Sequence, residues 1–226
     1  MNFRPVGALV LVLATAAGVP AAHAAAKPLC QIVTDDTGDT FVARAQDGTK
    51  PGPQEDGFDI TSADVASDGK VVTAVIRVKT LTTSIQTSPV GVGYSFDFLS
   101  PTSTMQASLR AVYITGQAPY FEATYKDPSI PNSPSTFLGL AKGFADAKTK
   151  SVHITAPLSL FAGVLGTMKK GTKIFPAADA ATTGRAVPPS PGTAGQPVAT
   201  RFVFADVAAG GKAIAVGQAS CVKPGK

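Results

Sequence analysis

The densest group of ionisable side chains in the chain is V-T-D-D-T-G-D, which sets Asp35, Asp36 and Asp39 close together with Gly38 between them. Carboxylates crowded in this way repel one another unless water, protons or a cation neutralise them. Hard oxygen donors at short spacing, with a glycine free to bend sharply, suit Ca²⁺. Further acids follow a Pro/Gly-rich stretch at Glu55, Asp56 and Asp59. The spacing is not that of an EF-hand loop, and the closing glutamate is missing. The same residue types also cap turns by accepting backbone N–H groups. Calcium ligation and turn capping both stay open.

Other chemistries lack their parts. His23 falls in the N-terminal apolar region, which leaves His153 as the one histidine beyond it. Zinc sites need more nitrogen or sulfur donors than that. A hydrolytic serine needs a base within reach, and there is neither a G-x-S-x-G elbow nor a Gly-rich phosphate loop. Paired carboxylates would suffice for glycoside hydrolysis, yet Glu55 and Glu122 are the only glutamates and most aspartates fall in turn-like contexts. The expectation is a non-catalytic binding or interaction module. A carbohydrate-binding module and a carboxylate-dependent hydrolase are the alternatives.

The elements that would carry these residues follow from pattern. Asn2-Phe3-Arg4, an uncharged run from Val6 to Val19, and Ala22-His23-Ala24 have the order of a secretory signal peptide. Residues 1–24 are therefore expected to be removed, leaving 25–226 as a single exported domain with no transmembrane segment. Lys27-Pro28-Leu29 before Cys30 does not suit lipoprotein processing. An exported chain meets an oxidising environment, so Cys30 and Cys221 are expected to form a disulfide tying the first segment to the last. Two free thiols are the alternative reading.

Periodicity of two dominates. Val72, Ala74, Ile76 and Val78 fall on one face while Thr73, Arg77 and Lys79 fall on the other, as a half-buried strand requires. Ser67-Asp68-Gly69-Lys70 before it reads as a hairpin turn. Further strands are expected at Phe58–Ser67, Val92–Leu99, Met105–Ile114, Phe121–Tyr125, Thr136–Phe144, Val152–Ala156, Lys173–Ala177, Thr200–Phe204 and Ala213–Val222. Leu158, Phe161 and Leu165 have helical spacing, so Pro157–Met168 is expected to form one short helix. Thr182–Pro197 reads as a surface loop. The fold expected is an all-β antiparallel sandwich of about nine to eleven strands.

The net charge of +5 is uneven, with acids leading in the first third and lysines in the second half. A basic half could attract anionic cell-surface polymers, or its lysines could simply solvate a β surface. Nucleic acid is not expected as a partner, because no basic stripe or basic-aromatic alternation is present. An extracellular protein or a polysaccharide is.

The order D-D-T-G-D, then a Gly/Pro-rich stretch, then F-D-I-T-S-A-D-V-A-S-D-G-K-V-V-T-A-V-I-R-V resembles the N-terminal half of exported sandwich modules related to family 9 carbohydrate-binding modules and DOMON-type domains. The likeness covers roughly residues 32–80. It implies a β-sandwich with a calcium near Asp35, Asp36, Asp39 and Asp59. Sugar-binding modules of that kind stack their ligand on aromatic faces, most often tryptophan, and this chain has none. Tyr120 and Tyr125 are the candidate substitutes, since Tyr94 and Tyr113 are in phase with apolar neighbours and belong to the core.

Overall fold

The computed structural model describes residues 28–40, 56–83, 91–114, 116–131, 133–187 and 201–225. Within them twelve strands form two antiparallel sheets. The first sheet has the order β1-β2-β3-β9-β8, built from Val33–Thr34, Ile60–Ser67, Val71–Val78, Ser151–Pro157 and Lys142–Asp146. The second runs β11-β10-β4-β5-β6-β7, from Arg201–Ala208, Lys173–Val187, Gly91–Leu99, Gln106–Tyr113, Tyr120–Lys126 and Thr136–Leu140. The two-residue β12, Ile214–Ala215, pairs with the start of β10. The chain is thus the all-β sandwich its alternation implies.

The core lies where the inner faces meet. Val72, Ala74, Ile76 and Val78 of β3 face Tyr94, Phe96 and Phe98 of β4 in one apolar cluster. Burying such side chains contributes roughly 1.5–3 kcal/mol each before conformational entropy is subtracted. One end is closed by a short helical segment, a 3₁₀ turn over Leu158–Phe161 running into α1, Ala162–Leu165. Pro157 precedes it, Gly166 ends it at φ 75°, and Phe161 packs edge-on against Phe98.

Three segments depart from the pattern-based expectation. Thr136–Phe144 is not one strand: it breaks at Ala141, whose N–H donates to Phe121 O, and β7 and β8 then join different sheets. Thr182–Val187 is no loop but the second half of β10, held between β4 and β11. Its threonines are buried, and Thr183 Oγ1 donates to Phe58 O at 2.6 Å, so pairing on both sides outweighs a loop-like composition. Residues 188–197 of that expected loop lie outside the described residues. Finally, Ala213–Val222 is strand only at β12.

Cys30 and Cys221 form a disulfide, with Cα atoms 5.2 Å apart. Beside it Leu29 and Ser220 make a parallel bridge, so the two ends of the described chain run side by side. Val222 then packs on Ala66 and Val75, outside the five-stranded sheet. No helix among the described residues is long and apolar enough to cross a membrane. The expected signal segment, residues 1–24, lies outside the described residues.

Candidate metal centre

The acidic turn begins where β1 stops. Val33 and Thr34 pair with Ala63 and Ser62, which delivers Asp35 to the end of the five-stranded sheet. Gly38 then turns the chain back at φ 90°, and its N–H donates to Asp59 Oδ2 at 2.9 Å. Asp206, from the other sheet, reaches the same place. Its Oδ2 accepts the Ile60 N–H at 2.7 Å and its Oδ1 accepts the Val207 N–H at 2.9 Å. The first of these bonds joins β11 of one sheet to the start of β2 in the other.

The result is that Asp35, Asp39 and Asp206 each place a carboxylate oxygen within 4.8 Å of the others. Two oxygens bound to one Ca²⁺ at about 2.4 Å can be no further apart than about 4.8 Å. Asp59 lies beneath, only 1% exposed, and its Oδ1 has no hydrogen-bond partner. Asp35 Oδ2 is likewise buried without a partner. A cation is near one side of the group: Lys79 Nζ sits 2.9 Å from Asp56 Oδ1 and 3.8 Å from Asp59 Oδ2.

The electrostatics follow from this crowding. Burial pushes the Asp35 carboxyl up to about 7, with the charges of Asp206 and Asp39 adding to it. Burial also raises Asp206 to about 6, against its two backbone N–H donors, with Asp39 and Asp59 adding to the rise. Both carboxyls would give up protons to a divalent cation placed among them. Turn-capping aspartates behave in the opposite way. Asp68 accepts the Val71 and Lys70 N–H groups, Asp146 the Thr149 hydroxyl and the Lys148 and Thr149 N–H groups, and these bonds hold both carboxyls below the ordinary range.

Of the sequence candidates, Asp35 and Asp39 come together and Asp59 supports the turn from below. Asp36 is exposed and stands outside the trio. Asp206 was missed. Its available signal was an acid inside the apolar alternation of Phe204-Ala205-Asp206-Val207, and nothing local says which distant turn it meets. Tyr120 and Tyr125 sit at half-buried positions five apart on β6. An odd spacing puts side chains on opposite faces of a strand, roughly 17 Å apart along it, so the two do not form one platform. His153 stacks on Phe144 with ring centroids 4.4 Å apart and shares a hydrogen bond with Ser151.

No family model matches the chain, and no curated protein or solved structure matches it either. Residue chemistry is therefore what a functional reading has to stand on. The buried Asp64 carboxylate is already paired: it accepts Arg77 Nη1 at 2.7 Å and the Ile32 N–H at 3.0 Å. The group at Asp35, Asp39 and Asp206 is the set of three or more potential metal ligands found among the described residues.

Proposed function

We propose that this chain is an exported, non-catalytic binding module whose sandwich is locked at one end by a divalent cation, calcium by the type of donor. Asp35, Asp39 and Asp206 would hold the ion, with Asp59 behind them. The observation that carries this reading is the pairing of convergence with want of partners. Three carboxylates converge, two from the turn after β1 and one from β11 of the other sheet, while one buried oxygen each of Asp35 and Asp59 lacks a donor. A buried carboxylate oxygen left unpaired is costly, and an oxygen-seeking cation removes that cost. The ion would tie β1, the start of β2 and β11 together, which makes its role one of stability rather than turnover. The disulfide fits an oxidising compartment, in line with export.

A second reading rests on the same raised carboxyls, because a general acid needs an elevated pKa. Asp206 serves it poorly, since both of its oxygens are committed to backbone amides. The two readings separate by melting the oxidised protein in millimolar calcium and again in excess chelator. A native-state ligand at 100 times its Kd adds about 2.7 kcal/mol, which in a domain of this size raises the midpoint by roughly 5–10 °C. A rise of that order supports the module. An unchanged midpoint returns the acids to turn capping or proton chemistry and removes the cation.

A further inference from the structure

On β4, β5 and β6 the register brings an acid, an amide and an amine onto one face. Gln106 of β5 lies directly opposite Lys126 of β6. Asp97 of β4 lies opposite Ser108, which is two residues on from Gln106 and so on the same face. This is the outward face of the seven-stranded sheet, since Phe96 and Phe98, on either side of Asp97, belong to the core. Directly opposed residues of neighbouring strands have Cβ atoms about 4.5–5.5 Å apart, so the two long side chains of Gln106 and Lys126 are within reach of each other.

An outward position should leave such groups in water, yet Asp97 is 6% and Gln106 7% exposed. Asp97 Oδ1 accepts the Ser95 hydroxyl at 2.7 Å. Its Oδ2 accepts the Gln106 Nε2–H, and Lys126 Nζ stands 3.9 Å from the same oxygen. At that length the amine is not hydrogen-bonded to the acid. Arg110 lines the same small cavity as Asp97 and Lys126, but its guanidinium turns to Glu122 at 3.9 Å and to Ser135 Oγ at 2.7 Å. Amide and amine therefore share one carboxylate oxygen. A surface ion pair contributes little by itself, and it gives no reason for burying a glutamine beside it.

We infer that Gln106 and Lys126 condense into an amide cross-link between β5 and β6, with Asp97 as the proton carrier. Lys126 Nζ gives a proton to Asp97 Oδ2 and becomes a free amine. Its lone pair forms the Nζ–Cδ bond at Gln106, the Cδ–Nε2 bond breaks, and Nε2 departs. One of the two protons on the attacking nitrogen passes to the departing nitrogen, which makes ammonia, and the other stays on the new amide. Asp97 then hands its proton to the ammonia, which leaves as ammonium, and is a carboxylate again. Neither an oxidant nor water is consumed. The cavity at Asp97 and Lys126 has about 20 Å³ of free space, room for about one water-sized molecule such as ammonia. Amide exchange between free molecules is slow, but groups fixed side by side in a sheet react as though highly concentrated. The bond has to form only once per chain, so no turnover is asked of the site. The link does not depend on the cation, and its readout is a mass rather than a melt.

The test is the intact mass of the full oxidised protein, set against the sequence mass from its observed N-terminus. Beyond the hydrogens lost to the disulfide, the protein should be short by about 17 Da, the mass of one ammonia. A tryptic digest should hold Gln106 and Lys126 in one branched peptide, uncut after Lys126, although the cleavage at Arg110 lies between them. Lys126→Arg and Asp97→Asn should each return the full mass while still melting cooperatively. Full mass in the wild type would overturn the proposal, and so would an ammonia loss that maps to other residues. A deficit that survives in Lys126→Arg would do the same. A deficit in folded Asp97→Asn would overturn the role given to Asp97. If Asp97→Asn fails to fold, the wild-type mass and digest still decide the cross-link.

Discussion

Gly38 and Asp59, 21 positions apart, are joined by a single hydrogen bond in which the glycine N–H donates to Asp59 Oδ2 at 2.9 Å. That bond pins the acidic turn onto the start of β2. Asp206 is pinned to the same strand through the Ile60 N–H. The two segments bearing these acids, the turn with Asp35 and Asp39 and the strand with Asp206, are thus positioned by backbone donors rather than by one another, since their charges push apart. A cation entering such a group has little chain left to order, so most of its binding free energy is available to stabilise the fold.

The sign of the pH dependence separates the cation-bound protein from the free one. Without a cation, Asp35 at about 7 and Asp206 at about 6 lie above the ordinary 3.8. Folded protein then keeps protons that the unfolded chain has released, and stability falls as pH climbs from about 4 to about 7. A bound cation requires both groups ionised, so its affinity grows over the same window. The calcium increment in melting temperature should be small at about pH 5 and full at about pH 7.5. Scanning calorimetry with calcium and with chelator at both pH values reads it directly. Equal increments would remove Asp35 and Asp206 from the ligand set.

Substitutions within the acidic turn should split by position. Asp39 is exposed yet belongs to the converging trio, whereas Asp36 is exposed and stands outside it. Asp39→Asn removes one of the mutually repelling charges, so in chelator its midpoint should match or exceed the wild type's. In calcium it should lose most of the increment. Asp36→Asn should keep the increment within a degree or two. If the two variants respond to calcium alike, the cluster as described is not the site.

The part of this architecture legible in the sequence was the part written in local alternation. Strands β3 to β5 declare themselves because apolar residues recur at every second position, and Asp68-Gly69 marks the hairpin that sets β2 against β3. Thr182–Val187 was hidden, since its threonines and glycine read as loop until two neighbouring strands cover them. The break at Ala141 was also hidden, because a crossing between sheets leaves no mark on a period of two. The acidic turn announced itself by crowding. Asp206 did not, as its role depends on β11 lying across the sandwich from β1, a relation that no local spacing encodes.

The disulfide should account for a large share of the stability. It closes a separation of 191 residues, for which the chain-entropy model gives about 5 kcal/mol. Both cysteines are exposed, so a Cys30→Ser, Cys221→Ser double variant leaves no cavity and mainly releases the unfolded chain. Its midpoint should drop by roughly 10–20 °C. The parallel bridge at Leu29 and Ser220 should fray with it, raising amide exchange there above that of β3 and β4. A drop of only a degree or two would mean that the paired ends hold without the bond.

Two glycines of the same type should behave oppositely, and the contrast tests how closely β8 and β6 approach. A Cβ at Gly143 would stand 2.3 Å from His153 O and 2.4 Å from the Phe121 ring. His153 is on β9, bonded to β3 on one side and β8 on the other, so that carbonyl cannot retreat. β8 itself would have to shift and Phe121 give way with it, and Phe121 packs edge-on against Tyr113. Gly143→Ala should therefore cost about 1–3 kcal/mol, the usual range for overpacking, and should alter the near-ultraviolet signal of the tyrosines. Gly163, inside α1, has nothing within 4 Å of where its Cβ would go. Gly163→Ala gains helix propensity, so it should be neutral or stabilising by up to about 1 kcal/mol. Thermal melts of the two variants decide the matter: if Gly143→Ala melts with the wild type, β8 and Phe121 are further apart than a 2.4 Å approach to that Cβ requires.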